Sequence, residues 1–131
     1  MITTLADNVY KASKEMKAAR KTHLPILACI HIDFIEGRLR LATTDLEKFY
    51  VAYSGCKWEG ETWETCVPAR PFIDWLRVTR ANNGKRAPFR DDRIMLDLDQ
   101  PSQILTVRAG NTTARFKCID GREFPPIRED A

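Results

Sequence analysis

The sequence contains no long hydrophobic run. Across 131 residues no apolar stretch approaches the roughly 20 residues that a helix needs to cross a bilayer. The first residues, Met-Ile-Thr-Thr-Leu-Ala-Asp, lack the basic stretch and apolar core of a signal peptide. We therefore expect a cytoplasmic chain without a membrane partner. Its length predicts one domain, and its 44% apolar content is enough for a core.

Metal-ligating residues are few and poorly spaced. None of the four cysteines belongs to a Cys-x-x-Cys pair, and there are only two histidines, His23 and His31. This spacing predicts no zinc site, and we expect no metal and no cofactor. Cys29 and Cys118 lie in predicted strands of alternating apolar character, where we expect buried thiols. The sequence leaves a disulfide as an alternative.

The net charge of +3 is too small to imply a nucleic-acid partner by itself, but its distribution is uneven. Residues 1–30 carry five Lys or Arg against two acids, and residues 70–90 carry six against one. Cations gathered in two segments create a local field that favours an anion.

Hydrophobic periodicity predicts one structural unit twice. The first unit has a strand at Ile2–Leu5, a helix from about Asp7 to Ala19, and strands near 26–34, 38–43 and 48–54. The second has a strand near 63–67, a helix near Pro71–Arg80, and strands near 93–98, 103–108 and 112–119. The fold class is α+β, with duplicated β-α-β-β-β units. A pseudo-twofold between the halves would pack both helices on one face of antiparallel sheets.

Boundaries and turns also have local signals. Asp7 can cap the first helix, and Pro71 suits the first turn of the second. Gly37 indicates a tight hairpin, and the loop from Ala81 to Pro88 is expected to end the second helix.

Each predicted helix has an apolar stripe and a basic side. Leu5, Val9, Ala12 and Met16 share one stripe, as do Phe72, Trp75 and Leu76. The cations that lie away from these stripes, or just past the first helix, are Lys11, Lys14, Lys17, Arg20, Lys21, Arg70, Arg77 and Arg80. If both helices share a face of the sheet, these cations form one surface.

Three motifs follow one another along the chain. Leu24-Pro25-Ile26-Leu27 precedes Gly37-x-Leu-x-Leu-x-x-Thr-Asp-Leu-Glu47, and Val67-Pro68-Ala69-Arg70 and Glu123-Phe124-Pro125 come later. In this order they closely resemble the first domain of the bacterial sliding DNA clamp, the beta subunit of DNA polymerase III. The resemblance extends from Leu24 to Pro125.

The resemblance implies a processivity factor that is not an enzyme. Such domains form a ring around double-stranded DNA, and the helix cations meet the phosphates without reading bases. The DNA polymerase and the clamp loader would bind through the complete clamp, in the bacterial cytosol and near the nucleoid. The resemblance also implies a subunit-contact edge at the last strand, with Thr112, Ala114 and Phe116.

It further implies a domain over residues 1–125 and the start of an interdomain linker at 126–131. In the family that this sequence resembles, one clamp chain has three such domains in tandem. We therefore expect an excised N-terminal domain rather than a stand-alone relative that must oligomerise. A small residue at Ala114 could weaken ring closure.

Other interpretations stay open. The chain could be a protein-interaction module that reuses the clamp fold and binds through its edge strand. Asp45 and Glu47 could be paired carboxylates of a small hydrolase, but a hydrogen-bonded corner is favoured. His31 and Asp33 are interpreted as exposed residues of one strand, with no nucleophile, so no catalytic residue is predicted. Bases could also stack on Phe49, Tyr53, Trp58 and Trp63, although most aromatics belong to a core.

Overall fold

The computed structural model describes residues 2–14, 26–84, 93–110 and 112–127. In this part of the chain two α-helices and nine β-strands follow one another, and a 3-10 turn at Gly121–Glu123 comes last. The helices are α1 (Ala6–Lys14) and α2 (Ala69–Gly84). The strands are β1 (Ile2–Leu5), β2 (Cys29–Ile35), β3 (Arg38–Thr44), β4 (Phe49–Trp58), β5 (Thr65–Pro68), β6 (Arg93–Asp99), β7 (Ile104–Ala109), β8 (Thr112–Lys117) and β9 (Ile119–Asp120).

The element order repeats one unit, as the periodicity predicts. Strand β1, helix α1 and strands β2 to β4 form the first half. Strand β5, helix α2 and strands β6 to β8 form the second. Strand β9 has no counterpart in the described part of the first half. The duplicated β-α-β-β-β topology is therefore confirmed.

All neighbouring strands pair antiparallel in one nine-stranded sheet, in the order β8-β7-β6-β1-β4-β3-β2-β5-β9. Strand β1 joins the two halves because it pairs with β4 on one side and β6 on the other. Strand β4 pairs with β3 along Phe49–Gly55 and with β1 along Cys56–Trp58. It is therefore longer than the predicted strand near 48–54, because its last residues have a partner from a distant segment.

Both helices pack side by side on one face of this sheet, which we call the inner face. Strand β6 shows why: its residues alternate strictly between exposed and buried, so Ile94, Leu96 and Leu98 all point inward. Against them lie Val9 of α1 and Phe72 of α2, neither of which exposes any surface. The predicted placement of both helices on one face is confirmed.

A second, smaller cluster covers the opposite, outer face near β2, β3 and β5. It consists of Cys29, Ala42, Cys66 and Phe124, with half-buried residues such as Phe49 around it. Phe124 comes from the segment that follows the 3-10 turn, so this segment folds back over the sheet. Burial raises the pKa of the Cys29 thiol to about 11, with a smaller effect from Cys118, and it also raises the pKa of Cys66.

Several predicted boundaries are wrong where tertiary contacts decide them. Residues 26–28 form a turn, so β2 begins at Cys29, and the Ala28 carbonyl accepts a hydrogen bond from the Ala69 amide at 3.0 Å. Helix α2 begins at Ala69 and continues to Gly84, through the first residues of the predicted loop. Pro71 does lie in its first turn. Asp7 lies inside the first turn of α1, which begins one residue earlier.

The last predicted strand, near 112–119, is divided in two. Strand β8 ends at Lys117, and the amide of Cys118 donates to the Gln103 carbonyl at 2.7 Å. Strand β9 then pairs with β5, where Thr65 faces Asp120. The chain therefore leaves one end of the sheet and joins the other within three residues.

Two turns that the sequence predicts are formed by local interactions. The β2–β3 hairpin turns through Glu36 and Gly37, whose φ angles are 53° and 78°. Two successive positive φ angles match the twist of the flanking strands, and Gly37 adopts its angle without strain. At the predicted corner, Asp45 Oδ1 accepts from the amides of Lys48 at 2.7 Å and Glu47 at 2.9 Å. These two bonds lower the pKa of Asp45, so the corner is confirmed.

Candidate nucleic-acid interface

Helix α1 buries one side against the sheet and exposes the other. Val9, Ala12 and Ser13 are buried, whereas Asn8 and Lys11 are exposed. The buried stripe therefore contains Val9 and Ala12, as the spacing predicts. Lys11 lies on the solvent side of the helix, as expected for a phosphate contact.

Helix α2 has the same arrangement. Phe72 and Leu76 are fully buried, while Arg70 and Arg77 are exposed. Arg77 Nη2 lies 3.6 Å from Asp74 Oδ1, one turn earlier, and the two side chains are 61% and 57% exposed. Ion pairs this exposed contribute little, so Arg77 can exchange Asp74 for a phosphate.

Because α1 and α2 are in contact, their solvent sides form one surface, which we call the helix face. It contains Lys11, Arg70 and Arg77. The backbone of α1 and α2 also carries Lys14 and Arg80. Three further predicted contacts lie outside the described residues: Lys17, Arg20 and Lys21.

Strand β8 lies at one end of the sheet and pairs with β7 on its other side. Thr112 is exposed, Ala114 is half-buried and Phe116 is buried. The Phe116 ring meets the Phe72 ring edge-on, with centroids 5.6 Å apart. Phe116 thus supports the edge strand from the inner face, and Thr112 and Ala114 lie closer to the strand's beginning.

The interpretation of His31 as an exposed residue is wrong. Its side chain is only 3% exposed, because the C-terminal segment covers this part of β2. The Phe124 ring stacks on the imidazole with centroids 5.0 Å apart and an angle of 26°. The sequence signal that could have predicted this burial was the Glu123-Phe124-Pro125 motif, because an apolar Phe124 needs part of the domain surface to pack on. Asp33 is half-buried and receives a hydrogen bond from Arg40 Nε at 2.8 Å.

The four aromatic residues considered for base stacking do not form a common surface. Trp63 is buried, with Phe34 edge-on at 5.2 Å, and Phe49 packs on the outer cluster. Trp58 is 41% exposed, and Tyr53 lies under the Arg38 guanidinium at 4.1 Å. Trp63 and Phe49 therefore pack within the domain, as the favoured interpretation predicts, and the base-stacking alternative fails for these two residues.

Three solved structures show which fold this is. A DNA polymerase III subunit beta from Pseudomonas aeruginosa superposes with a TM-score of 0.78 at 23% identity, covering 98% of this chain and 33% of that one. The DNA polymerase sliding clamp from Caulobacter crescentus gives 0.79 at 18% identity, with the same coverage. A Helicobacter pylori beta clamp bound to a DNA ligase peptide gives 0.78 at 17% identity, again with the same coverage.

The chain has the fold of one third of a bacterial sliding clamp. No family model matches the sequence, and no curated protein matches it. The similarity in sequence is low and the similarity in structure extends over nearly the whole chain, so the comparison establishes the clamp fold and the α+β class.

The sheet separates the cations of the helices from those of the strands. The sheet screens the outer face from α1 and α2, so cations on the helices and cations on the strands lie on opposite sides of the molecule. Arg38 and Arg108 are exposed outer-face residues of β3 and β7. Among the described residues, no helix is long and apolar enough to cross a membrane.

Proposed function

We propose that this chain is a processivity-factor domain, one part of a ring that encircles duplex DNA and tethers the replicative DNA polymerase. The observation that carries the proposal is the clamp fold together with a helix face that exposes Lys11, Arg70 and Arg77. The role is mechanical and requires no catalytic residue, no cofactor and no metal.

Sequence-independent contact suits these side chains. Lysine and arginine attract phosphates through charge, and bound counterions are released when they do so. Helix-face cations contact the backbone and carry no base information, so the ring could move along DNA. We include Lys14, Lys17, Arg20, Lys21 and Arg80 in the same proposed surface.

The ring itself is part of the proposal, because the chain spans about a third of the solved clamp chains it matches. Strand β8 is the proposed subunit contact, since it ends the sheet and could pair with an edge strand of another clamp domain or subunit. Its contact residues would be Thr112 and Ala114, with Phe116 holding the strand from behind.

We propose the domain as residues 1–125 and the beginning of an interdomain linker at 126–131. Phe124 is the last buried residue of the outer cluster, Ile127 packs half-buried against the cluster, and the described residues after Phe124 have no regular secondary structure. The DNA polymerase and the clamp loader would bind the complete clamp in the bacterial cytosol, near the nucleoid. The Helicobacter pylori relative, which is bound to a DNA ligase peptide, is a precedent for peptide partners.

The first test compares two double variants for binding to a fluorescent DNA duplex over a range of salt concentrations. Arg70→Ala with Arg77→Ala removes two cations from the helix face, and Arg38→Ala with Arg108→Ala removes two from the outer face. The helix-face variant should bind more weakly, with a salt slope lower by about 0.9 for each phosphate that is no longer neutralised. Because the net charge change is equal, equally weakened binding in both variants would contradict a DNA-facing helix surface.

A gain-of-binding variant makes the test sharper. Asp74→Asn removes the acid beside Arg77 and should raise DNA affinity. Light scattering over a wide concentration range then addresses the ring: a discrete closed oligomer would show that this domain assembles alone, and a monomer would assign closure to a longer chain. A chain that binds no duplex but captures proteins through β8 would be an interaction module instead.

A further inference from the structure

Three metal-ligating side chains converge on the outer face, away from the helix face. The possible ligand atoms of His31, Asp33 and Glu64 all lie within 4.8 Å of one another. His31 Nε2 is 3.0 Å from Glu64 Oε2. The sheet brings them together, since the register that pairs His31 with Cys66 and Ile32 with Thr65 places Glu64, the residue before β5, beside Asp33.

Two of the three donors are oriented by neighbours. Phe124 stacks on the His31 ring, and Arg40 donates from Nε to Asp33 Oδ1 at 2.8 Å and from Nη2 to Oδ2. A carboxylate has about four acceptor positions, so Asp33 can still bind an ion while paired with Arg40. Contacts of this kind fix ligand orientation in protein metal sites.

Glu64 is positioned by a close backbone approach. Gly121 lies so near that a Cβ built there would be 2.8 Å from the Glu64 Cγ and the Thr65 nitrogen. Only a glycine leaves room for the Glu64 side chain at this point. The Glu64 carboxylate lies beside His31, with its Oε2 3.0 Å from Nε2 of the imidazole.

The charges at the site are not balanced. Asp33 on β2 and Glu64 just before β5 are adjacent carboxylates, an arrangement that is unfavourable without a cation nearby. Arg40 lies on β3, on the side of Asp33 away from Glu64. Asp120 and Arg122 also line the cleft, and the Arg122 guanidinium interacts electrostatically with Glu64. Counting Asp33, Glu64 and Asp120 against Arg40 and Arg122, the charge is −1, and a divalent ion would change it to +1.

An open cleft reaches two of these donors, Asp33 and Glu64, and His31 lies behind them, in contact with Glu64. The cleft has a volume of about 650 Å³, and Asp33, Glu64 and Trp63 are part of its wall. Trp63 is 8% exposed, and its indole N–H has no acceptor among the described residues. A buried donor without a partner is costly, and water molecules held in the cleft by a bound ion could satisfy it.

We propose that His31, Asp33 and Glu64 bind one divalent transition-metal ion, with Zn²⁺ preferred, and that water from the cleft completes its coordination. One imidazole and two carboxylates suit Zn²⁺, whereas Mg²⁺ and Ca²⁺ favour sets made of oxygen alone. His31 Nδ1 has no hydrogen-bond partner among the described residues, and the lack of this outer contact lowers the expected affinity about 10- to 100-fold. The proposal is independent of DNA binding.

The test is calorimetric titration of the whole chain with ZnCl₂, beside Glu64→Gln and Glu61→Gln. Both variants remove one acid from the same β4–β5 connection, and the Glu64 side chain is 41% exposed, so neither should unfold the domain. We expect one ion per chain, with affinity at least about tenfold lower in Glu64→Gln and little changed in Glu61→Gln. His31→Gln, which removes the only nitrogen ligand, should abolish Zn²⁺ binding.

Two outcomes of the titration would overturn the proposal. The first is that the wild-type chain shows no saturable Zn²⁺ binding. The second is that Glu64→Gln and Glu61→Gln reduce the affinity equally, which would mean that Zn²⁺ does not bind at this specific site. Cobalt provides an independent check, because a thiolate-to-Co²⁺ charge-transfer band would place the ion on cysteine. A Co²⁺ spectrum without that band, reduced in Glu64→Gln, would support the assignment.

Discussion

The two faces of the sheet differ in what covers them. The inner face is covered by α1 and α2, and the cluster beneath them includes fully buried large side chains such as Phe72, Leu41 and Leu96. The outer face is covered near β2 and β5 by one short segment, which inserts Phe124 over two cysteines. Beside the outer cluster lie His31, Asp33 and Glu64, whereas the buried polar groups of the inner face are hydroxyls such as those of Thr4 and Ser54, 3.2 Å apart.

This difference separates two roles. The inner face supplies most of the buried apolar area, so it should dominate the free energy of unfolding. The outer face buries less, but it orders the C-terminal segment and holds polar groups at fixed positions. We therefore expect inner-face mutations to unfold the domain and outer-face mutations to loosen one segment.

The largest effect should follow Phe72→Ala. Phe72 has no exposed surface and contacts Phe116 of the edge strand. Its truncation leaves a cavity between α2 and β8, and we expect a decrease of about 4 kcal/mol in unfolding free energy by urea titration. A decrease no larger than that of the exposed control Val78→Ala would contradict the assigned inner core.

Phe124→Ala should cost less, about 3 kcal/mol, because Phe124 lies at the margin of a smaller cluster. Its specific signature is chemical: Cys29 and Cys66 should react faster with a thiol reagent once the segment over them is released. In the wild-type chain both thiols are buried, and burial raises the pKa of each, so they should react slowly. Unchanged thiol reactivity in the variant would show that Phe124 does not protect them.

Gly121→Ala should cost about 2 kcal/mol by overpacking, since the added methyl group would meet backbone atoms of Glu64 and Thr65 at 2.8 Å. Thermal unfolding measures the destabilisation, and amide exchange should be faster in residues 119–127 than elsewhere. Gly55→Ala is the matched control, because a Cβ there meets nothing within 4 Å. Similar destabilisation in both variants would indicate a general penalty for replacing glycine rather than a clash with Glu64 and Thr65.

The smallest expected effect is the loss of stability at low pH that comes from Asp120. The side chain of Arg122, and then its backbone amide, lower the pKa of Asp120 from 3.8 to about 2. A carboxylate with a lowered folded-state pKa stabilises the fold above its unfolded pKa, and this stability is lost as the pH falls through the folded value. The difference in urea midpoint between wild type and Asp120→Asn should therefore be largest well above the unfolded pKa of 3.8, decrease as the pH falls from there toward about 2, and disappear only below that value. A difference that does not decrease over this range would exclude the ion pair as its cause, and Asp97→Asn controls for the removal of one acid.

Local features of the chain were predictable from the sequence. Strand β1 has the predicted bounds, and the Glu36-Gly37 turn and the Asp45 corner form as expected because their hydrogen bonds join near neighbours. The alternation of β6 and the stripe on each helix also identified the inner face. The duplicated element order and the motif resemblance predicted the clamp fold.

Only the tertiary structure determined the long-range contacts. Strand β4 extends to Trp58 because β1 offers it a partner, and His31 is buried because Phe124 returns from the other end of the chain. His31 and Glu64 are 33 positions apart, so no sequence spacing could predict that they touch. Periodicity reports which side of an element is apolar, since that depends on neighbours along the chain. Which polar residues meet on the other side depends on strand register between distant segments, and folding alone establishes it.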